Sequence, residues 1–533
     1  WAKISQALRK QLKSLHDSVN QDRNTLKFDM TSAPAIRELL AQDIAMKATA
    51  AWTQCLNRLE KAERLDPVLP DGIQADLRDY QHDGFKWLRR LAEWGVGGVL
   101  ADDMGLGKTL QTLAVLLDRA QQGPALVIAP TSVGFNWVRE AQRFAPSLDV
   151  YLYRETERAD FLQHVGPNSL VVCSYGLALR DAEALAKTQW ASLVLDEAQA
   201  IKNSRSKTSI AIATIPADWK LALTGTPVEN HLGELWSLFH VVSPGVLGGW
   251  EQFRRRFAAP IEKDNDDERR LALRDRLRPF LLRRTKEEVL KDLPPRTEMN
   301  IYVEMSRDER DVYDKVRLSA LGEIDELAKL SDVKDQRFRI LALLTRMRQL
   351  ACSPRLVHED WKGRSTKTQQ LCDTLLELRD EGHRVLVFSQ FVKHLSLIRE
   401  MFEEEKISYV YLDGSTEAHA RQERVDEFQN GDATVFLISL KAGGTGLNLT
   451  AADYVIHMDP WWNPAVEDQA TDRAHRIGQE KPVMVYRLVS QGTIEEEILK
   501  LHDSKRDLVA GIMEGAQAAA KLSTDDLIAL LRT

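Results

Sequence analysis

The sequence predicts an α/β fold with two tandem lobes, each built on a doubly wound parallel sheet. Two sets of short, unbroken apolar segments alternate with helical patterns, as is typical of parallel strands buried on both faces. A helix-rich stretch lies between the two sets and separates the two lobes. The length of 533 residues also exceeds one ordinary core, since domains usually have about 100–200 residues.

Ten strands are expected, and most of them end in small or polar residues. In the first lobe they are 97–101, 125–130, 169–175, 192–197 and 220–226. In the second lobe they are 384–391, 408–414, 434–440, 454–459 and 483–489. Open α/β sheets bind ligands beyond the carboxyl ends of their strands, so functional residues are expected there.

The order of these patterns predicts five regions along the chain. They are a helical N-terminal extension (1–70), a first lobe (71–245), helical insertions with an interlobe linker (246–360), a second lobe (361–500) and a helical C-terminal segment (501–533). The chain begins with Trp1 rather than Met, so we expect it to be a piece of a longer protein.

Composition indicates a soluble, globular protein, with 44% hydrophobic and 28% charged residues. The net charge of −7 does not exclude nucleic acid, because a phosphate-binding groove needs only a local basic surface. The four cysteines are far apart and form no CxxC pattern, which argues against a zinc site or a disulfide framework and fits a reducing compartment. No apolar run approaches the length of a membrane span, and no signal peptide is found.

A candidate phosphate-binding loop lies in LADDMGLGKTLQ, residues 100–111. The pattern G-x-x-x-x-G-K-[ST] is met at Gly107, Lys108 and Thr109, but Asp102 stands where the pattern has its first glycine. A strand precedes the loop and a helical pattern follows it, which is the context that such a loop requires. The lysine would reach the outer phosphates and the threonine would bind Mg²⁺. The motif alone does not exclude a chance match.

The predicted strand 192–197 ends in an acidic pair, in LVLDEAQAIKN. In a protein with a phosphate-binding loop, an aspartate at a strand end holds the Mg²⁺ that bridges the phosphates, and Asp196 fits this position. The adjacent Glu197 can then orient and deprotonate the attacking water. The alternative is a surface acidic pair without function.

NPAVEDQATDRAHRIGQ, residues 463–479, predicts a helix with Asn463 as its N-cap and Pro464 at its first position. Gln469, Arg473 and Arg476 would then share one face of that helix. Arginines from a second lobe can stabilise charge in the transition state of phosphoryl transfer. The alternative is a solvated basic face.

Taken in order, these segments resemble the motifs of the Snf2 (Swi2/Snf2) branch of helicase superfamily 2. The loop DDMGLGKT is close to the nucleotide loop of that branch, which carries an aspartate in place of the first glycine. Further matches are LRDYQHDGFKWL (77–88), LVIAPTSVGFNW (126–137), DEAQ (196–199), LTGTPVENHLGELWSLFHVVSPG (223–245), LLRRTKEEVLKDLPP (281–295), VFSQF (387–391), LDGST (412–416), SLKAGGTGLNLTAADYVIHMDPWWNPA (439–465) and QATDRAHRIGQ (469–479). The resemblance covers about residues 71–500.

The resemblance implies two RecA-like lobes with Snf2-type helical insertions, and ATP with Mg²⁺ as cofactors. Nucleotide-binding residues by this resemblance are Gln81, which would read adenine, and the loop residues Asp103, Met104, Gly105, Leu106, Gly107, Lys108 and Thr109. Mg²⁺ is assigned to Thr109 and Asp196, and a catalytic role to Lys108, Asp196, Glu197, Gln469, Arg473 and Arg476. Aspartate tolerates turn geometry and bonds its own backbone, so we expect Asp102 to bend the loop in the glycine's place.

The resemblance also implies an ATPase that translocates along duplex DNA without separating its strands. Contacts to the phosphate backbone carry no sequence information, so little sequence preference is expected. The implied contacts are Thr131, Ser174, Tyr175, Ser389, Gln390, Lys441, Gly443, Thr445 and Trp462. Trp462 packs either on DNA or in the core, and the arginines at 254–256 and 283–284 either extend the DNA track or pair with acidic residues.

Two alternatives stay open: a true helicase that separates DNA or RNA strands, and an ATP-dependent switch or scaffold on protein partners. DEAQ differs from the D-E-[AG]-H common in nuclear remodelers, and no reader domain is recognisable, which favours a prokaryotic member. We expect a cytoplasmic, nucleoid-associated protein if it is prokaryotic and a nuclear one if it is eukaryotic. Protein targets on DNA are left open, and no membrane partner is expected.

Overall fold

The computed structural model describes two compact units, which divide between Lys291 and Asp292. This division falls inside the region 246–360, to which the sequence assigns helical insertions. The described residues are 49–153, 158–225, 231–290, 293–327, 333–443 and 447–500, together with 20–22, 25–27, 31, 33 and 37. The predicted C-terminal helical segment 501–533 lies outside the described residues.

The first unit contains a short hairpin and a seven-stranded sheet. The hairpin pairs β1 (Asn20–Asp22) with β2 (Thr25–Lys27) in antiparallel orientation. The sheet strands are β3 (Gly98–Leu100), β4 (Ala125–Ala129), β5 (Asp149–Leu152), β6 (Ser169–Ser174), β7 (Trp190–Leu195), β8 (Ala217–Leu223) and β9 (Leu281–Leu282). Their order is β5-β6-β4-β7-β8-β3-β9, and every neighbouring pair is parallel.

Helices cover both faces of this sheet, and most connect successive parallel strands. They are α1 (Ala50–Arg64), α2 (Asp79–Trp94), α3 (Lys108–Asp118), α4 (Thr131–Phe144), α5 (Arg158–His164), α6 (Tyr175–Arg180), α7 (Ala182–Leu185), α8 (Lys207–Ala213), α9 (Leu232–Val242), α10 (Trp250–Phe253), α11 (Ala259–Asp264), α12 (Asp267–Leu277) and α13 (Lys286–Val289). Short 3₁₀ turns lie at Ala120–Gln122 and Ala198–Ile201, and a π-helical turn lies at Arg254–Ala258.

The second unit has a six-stranded sheet that is also parallel throughout. Its strands are β10 (Arg296–Val303), β11 (Val385–Ser389), β12 (Tyr409–Leu412), β13 (Val435–Ser439), β14 (Tyr454–His457) and β15 (Val483–Ser490), in the order β10-β15-β14-β11-β13-β12. Its helices are α14 (Arg307–Leu327), α15 (Val333–Cys352), α16 (Thr366–Asp380), α17 (Val392–Glu404), α18 (Ala418–Asn430), α19 (Leu440–Gly443) and α20 (Pro464–Thr471). A 3₁₀ turn lies at Pro354–Leu356.

The cores explain why these segments become strands. In the first unit, every residue of β4 and of β7 is buried, and Trp137 from α4 packs in the same apolar cluster as Phe85 from α2. In the second unit, separate apolar clusters lie on the two faces of the sheet. Strands covered on both faces need apolar side chains at every position, which is the pattern seen in the sequence.

All ten predicted strands are present, with ends that differ by a few residues. β5, β9 and β10 were not predicted in the two sheets, and neither was the hairpin β1-β2. β10 lies in the region expected to be helical, and seven of its eight residues are exposed or half-exposed, with only Val303 buried. As an edge strand it is mostly exposed, and its longest apolar run is only residues 301–303, so its pattern gave no signal of a buried strand.

Candidate nucleotide site

The candidate phosphate-binding loop connects β3 to α3, which begins at Lys108 and confirms that a helix follows the loop. Gly105 and Gly107 have φ of 87° and 75°, a left-handed conformation that favours glycine. A Cβ at Gly107 would also lie 2.3 Å from Nε2 of Gln81. The left-handed backbone therefore favours glycine at position 107, and any larger residue would also force the Gln81 side chain to move.

Lys108 folds toward the start of the loop, where its Nζ donates to the carbonyl oxygens of Asp102 (2.6 Å) and Asp103 (3.3 Å). Leu106 is fully buried and Met104 nearly so, so these two residues can meet a nucleotide only through their backbone. Free N–H groups at the start of a helix and a nearby lysine form an anion-binding site. The loop, Lys108 and Thr109 thus fit the phosphates of a nucleotide.

Gln81 lies beneath the loop rather than in solvent. Its Oε1 accepts from the backbone N–H of Arg78 (3.0 Å), and its Nε2 donates to the carbonyl oxygen of Leu106 (3.2 Å). The hydroxyl of Tyr80 donates to the same carbonyl at 3.0 Å. These contacts hold the loop in place, and recognition of adenine by Gln81 stays a prediction.

Asp102 does not bend the loop, so that expectation is wrong. It is absent from the non-glycine residues with positive φ, and its side chain is fully buried. Its carboxylate instead accepts hydrogen bonds from Arg284, including Nε to Oδ1 at 3.0 Å. The arginines at 283–284 were expected either to extend the DNA track or to pair with acidic residues. Arg284 pairs with an acidic residue. The partners are 182 positions apart, which is why the sequence did not reveal the contact.

Asp196 follows the end of β7, in a pocket where its polar atoms are all used. Trp137 Nε1 donates to Oδ2 at 2.7 Å, the backbone N–H of Glu197 donates to Oδ1 at 2.9 Å, and the hydroxyl of Tyr175 donates to the carbonyl at 2.8 Å. Burial, together with the neighbouring charge of Glu197, raises the pKa of Asp196 to about 7, although Trp137 and Lys108 oppose the shift. A bound cation would relieve the desolvated carboxylate, so this side chain fits Mg²⁺.

Glu197 has a left-handed backbone, with φ of 48° and ψ of 55°, a conformation that costs a non-glycine residue about 1–2 kcal/mol. Its Oε2 accepts from Nε2 of Gln199 at 2.9 Å, and Oε1 of Gln199 accepts from the hydroxyl of Thr224 at 3.2 Å. Gln199 is the residue in which DEAQ differs from D-E-[AG]-H. Its amide positions Glu197 and connects it to the residue that follows β8.

In the second unit, α20 begins as predicted, because Asn463 caps it through a bond from Ala465 N–H (3.2 Å) and Pro464 is its first residue. The helix ends at Thr471, however, so Arg473 and Arg476 do not continue the helical face of Gln469, and that prediction is wrong. The carbonyl of Arg473 accepts from Leu449 N–H. The carbonyl of Arg473 is thus used in a tertiary hydrogen bond, whereas a longer α20 would use it within the helix.

The predicted DNA contacts differ in what their side chains do. Thr131 and Lys441 are exposed, whereas Ser389 is 1% exposed and its hydroxyl bonds Asp459. Ser174 caps α6 by accepting from Leu177 N–H, and the hydroxyl of Tyr175 is bound to Asp196. Gln390 is half-buried and Gly443 ends α19, while Thr445 lies outside the described residues.

Trp462 contacts a buried arginine. The guanidinium of Arg348 lies 5.1 Å from the ring centroids of both Trp461 and Trp462, and it donates to the carbonyl of Pro460 at 2.8 Å. Trp462 also packs against the apolar cluster that includes Tyr313 and Leu344. This packing favours the core reading of Trp462, and its contact with DNA stays a prediction.

A second polar cluster, which the sequence did not indicate, lies inside the second unit. Cys352, His394 and Asp459 each offer one potential metal-ligand atom, and these atoms lie within 4.8 Å of one another. Neither ring nitrogen of His394 has a hydrogen-bond partner. Burial, with the charge of Lys367, lowers the pKa of His394 to about 3. The charges of Lys367 and Arg348 oppose the rise in the pKa of Cys352, and Arg348 does the same for Asp459. The positive charge beside this cluster therefore comes from side chains of the chain itself.

Replacing Lys367 by methionine is expected to destabilise the second unit by about 3–5 kcal/mol, because Glu495 would remain as a buried charge without its partner. Each side chain of this ion pair is 1% exposed. Thermal unfolding measures the loss. Lys393→Met is the matched control, because Lys393 is 75% exposed in its pair with Glu359 and should change stability by less than about 0.5 kcal/mol. Equal behaviour of the two variants would contradict the prediction.

The loop, the acidic pair at a strand end and the parallel sheets of the two units are features of P-loop proteins of the helicase type. The SNF2-related domain matches residues 80–356, and the helicase conserved C-terminal domain matches residues 366–478. The chain belongs to the SNF2-related family, within helicase superfamily 2.

Several relatives support this assignment. YwqA of Bacillus subtilis (strain 168), a proposed ATP-dependent helicase/translocase, is 40% identical over 89% of this chain and 52% of its own length. An ATP-dependent helicase of Mycoplasma pneumoniae is 38% identical over 85% of this chain and 44% of its own length. A mouse SWI/SNF-related regulator of chromatin, subfamily A member 1, is 36% identical over 86% and 46%. The chain therefore spans about half the length of these relatives, and the bacterial matches agree with the expected prokaryotic origin.

A solved structure of the Sulfolobus solfataricus SWI2/SNF2 ATPase core in complex with dsDNA is 35% identical. The match covers 84% of this chain and 96% of that one, with a TM-score of 0.44.

Among the described residues, no helix combines the length and apolar character needed to cross a membrane.

Proposed function

We propose that this protein hydrolyses ATP to translocate along duplex DNA and to remodel protein–DNA complexes without separating the strands. One observation carries the proposal: in a chain of the SNF2-related family, a complete phosphate-binding loop and the Asp196–Glu197 pair lie in the same unit. Glu197 is held by Gln199, and Asp196 is buried beside it. These features support a site in this unit for binding a nucleoside triphosphate and activating water.

In the proposed reaction, Lys108 leaves the carbonyls of Asp102 and Asp103 and binds the outer phosphates of ATP. Thr109 and Asp196 would hold Mg²⁺, and the ion would supply positive charge beside the phosphates. Glu197 accepts a proton from the attacking water and directs that water at the γ-phosphate. Arg473 and Arg476, assisted by Gln469, stabilise the charge that develops in the transition state.

Contacts with the DNA backbone are proposed for the exposed side chains of Thr131 and Lys441, and for the remaining residues of the implied set. Such contacts position a protein on DNA without reading its sequence. Affinity for duplex should therefore depend little on sequence and fall steeply with salt, by a logarithmic slope of about 0.9 per phosphate neutralised. In a bacterial cell these properties would place the protein on the nucleoid, with DNA-bound proteins as its targets.

Duplex DNA is expected to increase the rate of ATP hydrolysis at saturating ATP, because translocation couples the hydrolysis cycle to movement along the DNA. The measurement is steady-state hydrolysis with buffer, single-stranded DNA and blunt duplex at matched nucleotide concentration. A rate with duplex no higher than with buffer or single strands would contradict the translocase and favour a switch or scaffold on protein partners.

A second assay distinguishes translocation from strand separation. We expect ATP-dependent displacement of a third strand from a triplex, and no displacement of a strand from a forked duplex of the same length. Efficient unwinding of the fork would instead indicate a true helicase. The variant Glu197→Gln is the control in both assays, because it should bind ATP without cycling.

A further inference from the structure

The segment 280–286, here called the bracing segment, runs beside the first half of the nucleotide loop. Backbone N–H groups of Val99, Ala101 and Asp103 donate to the carbonyls of Phe280, Leu282 and Arg284, at 2.8, 2.7 and 3.0 Å. The parallel pairing of β3 with β9 thus continues past the end of β3 and into the loop itself. Near its end, the N–H of Lys286 donates to Oδ2 of Asp103 at 3.1 Å.

Arg284 is the centre of this contact. Its guanidinium bonds both carboxylate oxygens of Asp102, the carbonyl of Tyr80 and Oε1 of Gln111, the last at 2.8 Å. Gln111, from α3, in turn donates to the carbonyls of Leu106 and Gly107, both at 3.3 Å. Arg284 therefore contacts the beginning of the loop directly and its end through one side chain.

Gly84 shows that the surrounding helix makes room for this network. A Cβ at Gly84, in the middle of α2, would lie 1.9 Å from Oε1 of Gln111 and 2.8 Å from Nη2 of Arg284. Glycine inside a helix costs about 0.5–1 kcal/mol relative to alanine. The close approach of Arg284 and Gln111 accounts for a residue that helix propensity alone disfavours.

We propose that Arg284 is a positioning residue for ATP binding, acting through Asp102 and Gln111 to hold the nucleotide loop in its phosphate-binding shape. The aspartate that replaces the first glycine of the loop is then the loop's anchor to the bracing segment. The hydrogen bonds between this segment and the loop lie within the first unit. This inference rests on the nucleotide site of the proposed function and adds a positioning residue to it.

Loss of the anchor should act mainly on nucleotide binding. If the competent loop is populated only in part, apparent affinity falls by that same fraction for any nucleotide. For Arg284→Met we expect the Kd of a fluorescent ATP analogue and the KM for ATP to rise on the order of tenfold or more. The kcat at saturating ATP should change much less, since Glu197 and Asp196 are untouched.

Three variants test the anchor against general damage to the fold. Asp102→Asn removes the opposing charge with little change of shape, and Gly84→Ala adds one methyl group without changing any charge. Both should raise KM in the same direction as Arg284→Met. Arg274→Met is the matched control, because Arg274 is an exposed arginine of α12 that pairs with Asp275, and its KM without DNA should equal that of the wild type.

A structural readout covers variants that fold poorly. In the wild-type protein, hydrogen exchange of the amides of Asp103 and of the bracing segment should slow when ATP binds with Mg²⁺, and Asp102→Asn should abolish the change in the bracing segment. Wild-type KM in both Arg284→Met and Asp102→Asn overturns the proposal, and so does a bracing segment insensitive to ATP. These results are independent of DNA, so the proposal can fail while duplex-stimulated hydrolysis stands, or hold if stimulation is absent.

Discussion

Replacing Glu197 by glutamine is expected to lower the rate of ATP hydrolysis by about 10²–10⁴-fold while leaving ATP binding intact, because a general base contributes an acceleration of this size. Glutamine keeps the shape of glutamate and can still meet the amide of Gln199, which holds Glu197 at 2.9 Å. It cannot accept a proton from water. The loss should therefore appear in kcat, with little change in the Kd for ATP.

The measurement is single-turnover hydrolysis with saturating Mg-ATP and duplex DNA, beside equilibrium binding of an ATP analogue. Glu183→Gln is the matched control, since Glu183 is an exposed residue in the first turn of α7 and should leave the rate unchanged. If Glu197→Gln hydrolyses ATP at the wild-type rate, Glu197 is not the base. Loss of binding would instead indicate that the left-handed turn had collapsed.

Replacing Arg476 by alanine is expected to lower kcat by about 10³–10⁵-fold, the range measured for arginines that stabilise the transition state of phosphoryl transfer. The contribution arises only as charge develops on the transferring phosphoryl group, so KM for ATP should change little. Arg476→Lys should recover only part of the rate, because an ammonium group lacks the planar fork of a guanidinium.

Arg424→Ala is the control for the loss of a positive charge in the second unit, because Arg424 lies on α18 and pairs with Glu427 on the same helix. Its kcat should match that of the wild type. Arg473→Ala separates the two candidate arginines. A full kcat in Arg476→Ala together with a large loss in Arg473→Ala would assign the role to Arg473, and full rates in both would remove the arginine finger from the proposal.

The sequence was most informative about elements whose structure depends on residues within the same short segment. The buried strands, the start of α3 at Lys108 and the N-cap of α20 at Asn463 depend on neighbours within a few positions, and the structure confirms all of them. Periodicity and capping preferences act locally, so they can be recognised without knowledge of the fold.

The errors have the opposite origin, in contacts between distant segments. Asp102 bonds Arg284, 182 positions away, and no local rule distinguishes that role from a turn residue. α20 ends at Thr471 and the carbonyl of Arg473 binds Leu449 N–H, although the amino acids that follow are compatible with a helix. Cys352, His394 and Asp459 meet only after α15, α17 and β14 have packed together.

The position of β9 at the end of the first sheet has a consequence for how the protein is made. β3 lies between β8 and β9 in the sheet, so its two neighbours leave the ribosome more than a hundred residues after it. Contacts between segments so distant in sequence form slowly, and β3 has an unpaired edge until residues 281–282 emerge. A chain shortened to the expected lobe boundary at 245 would keep that edge exposed, and we expect it to aggregate where a chain ending at 290 remains monomeric.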